Sequence, residues 1–468
     1  MKRNLFILPV ILICLLSGCT MAPEYTRPAS PVTADWPGTA ASREAGVSIG
    51  APVAPELKWR GFFVDERLQK LIETALDNNR DLRLATLNVE RARGIYGIQR
   101  AELLPTVNAI GSGGKARVPA DLSSTGQVIT TERYDVNLGI TSWEIDFFGR
   151  IQSLKDQALE EYLATEEVRN SVQISLASAV AQAYLALAAN REALNLAQST
   201  LETQQAIYDL IQKRCEVGIA TELDLRRAQT QVDSARGDVA RAAKRAAMDE
   251  NALTFLLGTP APGALLPADL SSVVPPREIS PGIGAEILLG RPDILQAEHR
   301  LKGAYANIGA ARAAFFPRIS LTTAIGTASA ELSGLFKDGS GTWSFAPQVA
   351  LPIFDARIWP ALTVSKVDRE MALVQYEKAI QTAFRETADA LAVQDTVEDQ
   401  LSAQQSLLDA VSETCRLSNA RYTKGIDSYL SVLDAQRSLY AAQQGLIVLR
   451  LEKLANQVTL YKVLGGGE

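Results

Sequence analysis

Apolar and polar side chains alternate strictly over residues 134–141, with Tyr134, Val136, Leu138 and Ile140 on one face and Asp135, Asn137, Gly139 and Thr141 on the other. A period of two predicts a strand with one apolar face. Residues 343–351 repeat the pattern, with Trp343, Phe345, Val349 and Leu351 outward. Ile319, Leu321 and Ile325 mark a third strand, and Thr106 to Gly113 a weaker fourth. Elsewhere the period becomes helical. Leu187, Leu194, Leu201, Tyr208 and Cys215 recur every seven residues, with Ala197 and Ile211 between them and Asn190 and Gln204 interrupting. Leu401, Leu408, Cys415 and Tyr422 show the same register, a coiled-coil-like seam. Alanine is plentiful around both, which suits close packing against more than one neighbouring helix.

These patterns occur twice. Adding 212 to Asp81, Leu82, Ala85, Arg100 and Pro105 lands on Asp293, Ile294, Ala297, Arg312 and Pro317. Adding 207 to Phe147, Arg150, Arg214, Gly218, Ala228, Gln229 and Gly258 lands on Phe354, Arg357, Arg421, Gly425, Ala435, Gln436 and Gly465. A unit this long exceeds solenoid repeats of about 20–50 residues and reads as a duplicated half-protein. Each copy has the order helix, strand, strand, long helix, helix. The first helices are expected over about 66–104 and 284–316, each stopped by a proline. From 151 to 215 there is neither proline nor glycine, which at 1.5 Å per residue predicts a rod of ~98 Å. Its counterpart, 358–424, has only Pro360, in the first turn where proline is tolerated. Gly218 and Gly425 then suit left-handed helix ends, with Thr221 and Ser428 as caps for returning helices to about Leu257 and Leu464. The tips of both helical hairpins are therefore expected far from the strands.

The N-terminus changes the setting. Lys2 and Arg3, an apolar run from Leu5 to Leu16, and Leu16-Ser17-Gly18-Cys19 form a secretory signal whose end resembles a bacterial lipobox. That resemblance implies cleavage before Cys19 and acylation of Cys19; Thr20, which is not an aspartate, favours the outer membrane. Residues 20–60, rich in Pro, Ala, Ser and Gly, read as a tether. Removing residues 1–18 leaves 45 Lys+Arg against 53 Asp+Glu, a net charge of −8 that argues against nucleic acid as a partner. Cys215 and Cys415 do not fall at equivalent repeat positions and read as small seam residues. His299 is the chain's one histidine, and no metal-ligand spacing, phosphate loop or nucleophile elbow occurs, so neither enzyme nor cofactor is expected.

The alternating strands suit a half-buried soluble sheet or a barrel in lipid. The polar, Gly/Ser-rich turns at 111–127 and 331–341 and the lipid anchor favour the barrel. Known membrane barrels need about eight strands or more, so four per chain would require several chains; three give twelve.

Several segments together resemble the TolC/OprM/NodT family of bacterial outer-membrane efflux channels. They are Ala101-Glu102-Leu103-Leu104-Pro105, Ala313-Ala314-Phe315-Phe316-Pro317-Arg318, Leu351-Pro352-Ile353-Phe354-Asp355, and the run from Arg421-Tyr422-Thr423-Lys424-Gly425 through Tyr429-Leu430-Ser431-Val432-Leu433-Asp434-Ala435-Gln436. With Cys19 to Tyr25, the likeness covers nearly the whole chain. It implies a homotrimer with a twelve-stranded outer-membrane barrel joined to a periplasmic α-helical tunnel. It also implies a periplasmic adaptor (membrane fusion protein) and an inner-membrane resistance–nodulation–division transporter as partners. The organisation is then a signal peptide (1–18), a lipidated tether (19–65), and a first repeat (66–258; β hairpin 106–147, helical hairpin 151–257). An equatorial linker (259–283), a second repeat (284–464; β hairpin 318–354, helical hairpin 358–464) and a tail (465–468) follow. The resemblance places a periplasmic gate at Asp434, Asp224, Tyr422 and Ser431, and adaptor contacts at the tips Gly218, Ile219, Gly425 and Ile426. Ser431 stands where the TolC branch has a second aspartate, and Asp427 where it has the arginine that helps lock the gate. A channel of a type I protein secretion system and a non-conducting coiled-coil lipoprotein are the competing readings; the latter gives no reason for four alternating strands.

Overall fold

A computed structural model describes residues 20–34, 36, 57–279 and 284–466; the signal peptide, the lipid site Cys19, and parts of the tether, linker and tail lie outside the described residues. The helices are α1 (Trp59–Phe62), α2 (Glu66–Asn78), α3 (Arg80–Ala101), α4 (Arg150–Glu216), α5 (Glu222–Leu257), α6 (Pro292–Ala313), α7 (Ile358–Thr423) and α8 (Tyr429–Val463). The strands are β1 (Val107–Val118), β2 (Ile129–Ile145), β3 (Arg318–Ser329) and β4 (Gly341–Ala350). The chain forms two compact units. One holds Asn88–Thr165, Gln296–Tyr376 and the N-terminal arm to Ala29; the other holds Ser30–Leu87, Glu166–Leu295 and Glu377 onward.

In the first unit the strands pair antiparallel in the order β1-β2-β3-β4. The register puts Leu138 beside Ile325 and Ile325 beside Trp343, with Ile140, Thr323 and Phe345 in the next row of the same face. The opposite face carries Asn137, Gly326 and Thr342, then Gly139, Ala324 and Ser344. A bulge between Ile140 and Trp143, with Ser142 at φ 53°, inserts one residue. An inserted residue reverses the alternation, so Trp143 and Ile145 join the apolar face beside Leu321 and Ile319. Strict alternation ends after Thr141 for this reason. The first turn is also shorter than 111–127: β1 continues to Val118 because Ser112, Lys115 and Arg117 pair with Asp135, Glu132 and Thr130.

Helix α6 carries the N-terminal arm. Tyr25 hydroxyl donates to Glu298 Oε1 at 3.0 Å, and Arg27 donates to both Glu298 oxygens at 3.2 and 2.6 Å. Nearer the lipid site, Arg312 donates to Met21 carbonyl at 3.1 Å. Glu298, the acceptor of the arm's bonds, is only 4% exposed. Across the same helix His299 bonds Glu160 at 2.7 Å.

In the second unit the core gathers Phe62, Phe63, Leu71, Tyr184, Leu253 and Tyr461, with Phe62 and Tyr461 stacked at 4.3 Å. The expected single helix over 66–104 is two helices. Asn79 Oδ1 accepts from the amides of Asp81 and Leu82 and starts α3 afresh. Arg291 holds the matching position before α6, preceded by a 3₁₀ turn over Ala285–Gly290. Each of the two also returns to the end of its own repeat. Asn79 Nδ2 donates to Leu256 carbonyl at 2.9 Å, and Arg291 Nη1 donates to Val463 carbonyl at 2.7 Å. Leu256 and Val463 are themselves 207 residues apart.

Candidate functional site

The two hairpin turns are built alike. Gly218 has φ 75° and Gly425 φ 73°, and Ile219 and Ile426 amides return to the carbonyls of Arg214 and Arg421 at 2.8 and 3.0 Å. A side chain at either glycine would be strained, and the returning bonds occupy carbonyls that the helix end leaves free. Thr221 caps α5 by accepting from Asp224 amide. Ser428 holds the cap position of α8, but its side chain does not bond the helix. At 77% exposure Ile219 is nearly bare, and Val217, Leu223, Ile426 and Leu430 are exposed with it.

Behind the turns Ile211, Ala228, Tyr429, Val432 and Leu433 form a small buried core between the repeats, with Tyr208, Leu225 and Tyr422 around it. Gln204, which breaks the apolar heptad in sequence, is buried and donates to Gln436 Oε1 at 3.1 Å, so it ties α4 to α8. Cys215 and Cys415 are free thiols, and burial pushes the Cys415 thiol pKa up.

Tyr422 packs on this cluster and Asp224 lies near its Tyr429, yet among the described residues no hydrogen bond joins Asp224 to Tyr422. The Asp224 carboxylate accepts from Thr221 hydroxyl at 2.6 Å and lies 3.8 Å from Arg227. The Tyr422 ring lies 5.8 Å from the Arg214 guanidinium and 5.5 Å from the Tyr429 ring. Arg421 pairs with Asp427 through two bonds of 2.6 and 3.0 Å, across the second turn only, since Ala220 stands opposite Arg214 in the first. Asp434 and Ser431 both lie on the exposed face of α8, with Asp434 3.9 Å from Arg437.

Sequence reasoning missed Tyr429. It is 3% exposed and its hydroxyl has no hydrogen-bond partner among the described residues. Burial, then Tyr422 and Asp224, push its pKa up to about 12. It stands in the family-like run from Tyr429 to Gln436, but the repeat does not mark it, because the equivalent position of the first repeat is Glu222. Among the described residues no group of three or more His, Cys, Asp or Glu is placed to hold a metal ion.

The sequence model of the family described as outer membrane efflux protein matches residues 71–259 and 284–466. The toluene efflux pump outer membrane protein TtgC of Pseudomonas putida is 47% identical over 458 residues, 97% of this chain and 93% of that protein. Outer membrane protein OprJ of Pseudomonas aeruginosa is 42% identical over 472 residues, 100% of this chain and 97% of that one. Among solved structures, the open state of the Neisseria gonorrhoeae MtrE outer membrane channel superposes with a TM-score of 0.86 at 38% identity, over 96% of this chain and 98% of that one. Two copies of helix, strand pair and long helical hairpin, matched over both copies by one model and over nearly the full length by such relatives, make this chain a member of the outer membrane efflux protein family.

Proposed function

We propose that three copies of this chain close one twelve-stranded barrel in the outer membrane and serve as the passive exit conduit of a tripartite efflux pump. The observation that carries this is the sheet. It has four strands, two open edges (β1 and β4) and an apolar face that a single chain leaves bare, with Trp343 at 80% exposure. Four strands cannot close in lipid, where every backbone group needs a partner.

In this reading Cys19 anchors the arm in the inner leaflet, 66–258 and 284–464 are the two repeats, and the helical hairpins form the periplasmic tunnel. An adaptor meets the tips at Gly218, Ile219, Gly425 and Ile426. An inner-membrane resistance–nodulation–division transporter loads the cargo. Asp434 from three chains rings the constriction at the tips, Ser431 beside it adds no charge, and Asp224 with Tyr422 restrains opening. Toluene appears in the name of a close relative, and small apolar compounds and drugs are the cargo class assigned to this chain. No cofactor or catalytic step enters. The test is mass in mild detergent, by light scattering, with conductance in planar bilayers. A trimer that conducts is expected; a strictly monomeric, electrically silent protein overturns the reading.

A further inference from the structure

The stretches of α3 and α7 that lie in the first unit are apolar on two sides, and the chain covers only one side of each. Helix α3 buries Ala92 and sets Tyr96 against Tyr162, while Ile95 and Ile98 stay exposed, Ile98 at 65%. Helix α7 buries Ser365, Ala372 and Tyr376, while Val364 and Val367 stay exposed. Arg91 lies one turn from Ile95, and Asp368 one turn from Val364, on these uncovered faces. Both charged side chains are exposed, and among the described residues neither has an ion pair or hydrogen bond. Gly94 shares the face of Arg91, Ile95 and Ile98 by its spacing. A Cβ there would meet nothing within 4 Å. A mid-helix glycine costs about 0.5–1 kcal/mol relative to alanine, and nothing in the chain accounts for it.

The sheet says what lies opposite. Pairing β3 with β4 sets α6, which leads into β3, beside α7, which leaves β4; Phe315 packs on Trp359 at 4.9 Å, and Tyr305 lies 5.6 Å from Arg369. The open edges repeat this arrangement between copies. If β4 pairs antiparallel with the next copy's β1, then α7 must run antiparallel beside that copy's α3. Within the chain Phe315 meets Trp359 and Tyr305 meets Arg369. Subtracting the repeat offset of 212 sets positions 103 and 93 level with 359 and 369 of the next copy, so Ile98 falls level with Val364 and Ile95 with Val367, both exposed valines. Arg91 then stands one turn beyond Asp368, within reach of its long side chain.

We infer that the seam between copies is a helix pair in which Ile98 and Ile95 of one protomer pack on Val364 and Val367 of the partner subunit, Arg91 pairs with Asp368 of the partner subunit, and Gly94 admits the close approach. This rests on the trimeric reading and adds its register.

The experiment uses the full lipidated chain with Cys215→Ser and Cys415→Ser. Oxidising Ile98→Cys with Val364→Cys, and separately Ile95→Cys with Val367→Cys, is expected to give a covalent ladder ending at the trimer. A trimer by light scattering without a ladder from either pair overturns the seam and leaves the trimeric reading standing. A monomer before any substitution removes both. Independently, Arg91→Asp is expected to lower the detergent-resistant trimer fraction by on the order of tenfold, and Arg91→Asp with Asp368→Arg to restore it. No recovery in the double reversal overturns the ion pair. Gly94→Leu, which the lone chain has room for, is expected to abolish the trimer while the circular dichroism of the monomer stays helical; an intact trimer overturns the close approach.

Discussion

Arg27→Ala tests how the N-terminal arm is held. The substitution removes two hydrogen bonds to Glu298, a carboxylate 4% exposed, from an arginine 49% exposed. Stripping one partner from a fully buried pair costs about 3–5 kcal/mol, but here Tyr25 at 3.0 Å and Lys302 at 3.4 Å remain. The arginine's half exposure screens its charge further. Hydrogen bonds to charged groups run about 1.5–3 kcal/mol, and a loss of about 2 kcal/mol corresponds to roughly thirtyfold more open arm. Chymotrypsin cleavage after Tyr25 needs the arm undocked, so its rate should rise by about that factor while cleavage is slow relative to redocking. A rate within threefold of the parent protein refutes the reasoning. The contact also titrates. Burial pushes the Glu298 pKa up, but hydrogen bonds from Arg27 and Tyr25 outweigh it and hold it below the usual glutamate value. A lowered folded pKa means the attachment is complete above the ordinary glutamate range and weakens as pH falls through the lowered value. Pepsin cleavage of the arm, normalised to a flexible peptide, should therefore accelerate on acidification, and less so in Arg27→Ala.

At the tips, Asp224→Ala with Tyr422→Phe should raise single-channel conductance and admit bulky antibiotics; unchanged conductance in planar bilayers removes the restraint. Asp434→Asn should weaken cation preference, and an unaltered reversal potential across a salt gradient means that Asp434 faces away from the pore. Arg291→Ala should cost about 1.5–3 kcal/mol in denaturant unfolding, since it leaves the Val463 carbonyl with only the Thr387 hydroxyl at 3.5 Å and strips Glu386 of its partner. Arg291→Asn, copying the first repeat, should recover part of that loss; equal losses for both variants would show that the carbonyl contact contributes nothing.

The duplication and the two hairpins were legible because they rest on properties local to the chain: the +212 and +207 coincidences, the glycines at 218 and 425, and periods of two and seven. What escaped depended on contacts distant in sequence. The break at Asn79 could not be read from a continuous helical pattern, because an asparagine amide decides it by capping Leu82 and reaching Leu256. Trp143 and Ile145 fell out of phase until the bulge restored them to the apolar face. Gln204 looked like an interruption because its partner, Gln436, is 232 residues away. At the tip, resemblance supplied Asp224 and Tyr422, but Arg214 and Tyr429, which flank the Tyr422 ring, stand out only once the helices are folded together.

The closing bond of each repeat differs in strength. Asn79 offers one amide to Leu256, whereas Arg291 grips Val463 and is itself braced by Asp293 and Glu386. A pull transmitted along the hairpins would therefore meet a soft fastening in the first half and a rigid one in the second. The duplicated halves are alike in outline but unequal as springs, and yielding under load begins at the asparagine.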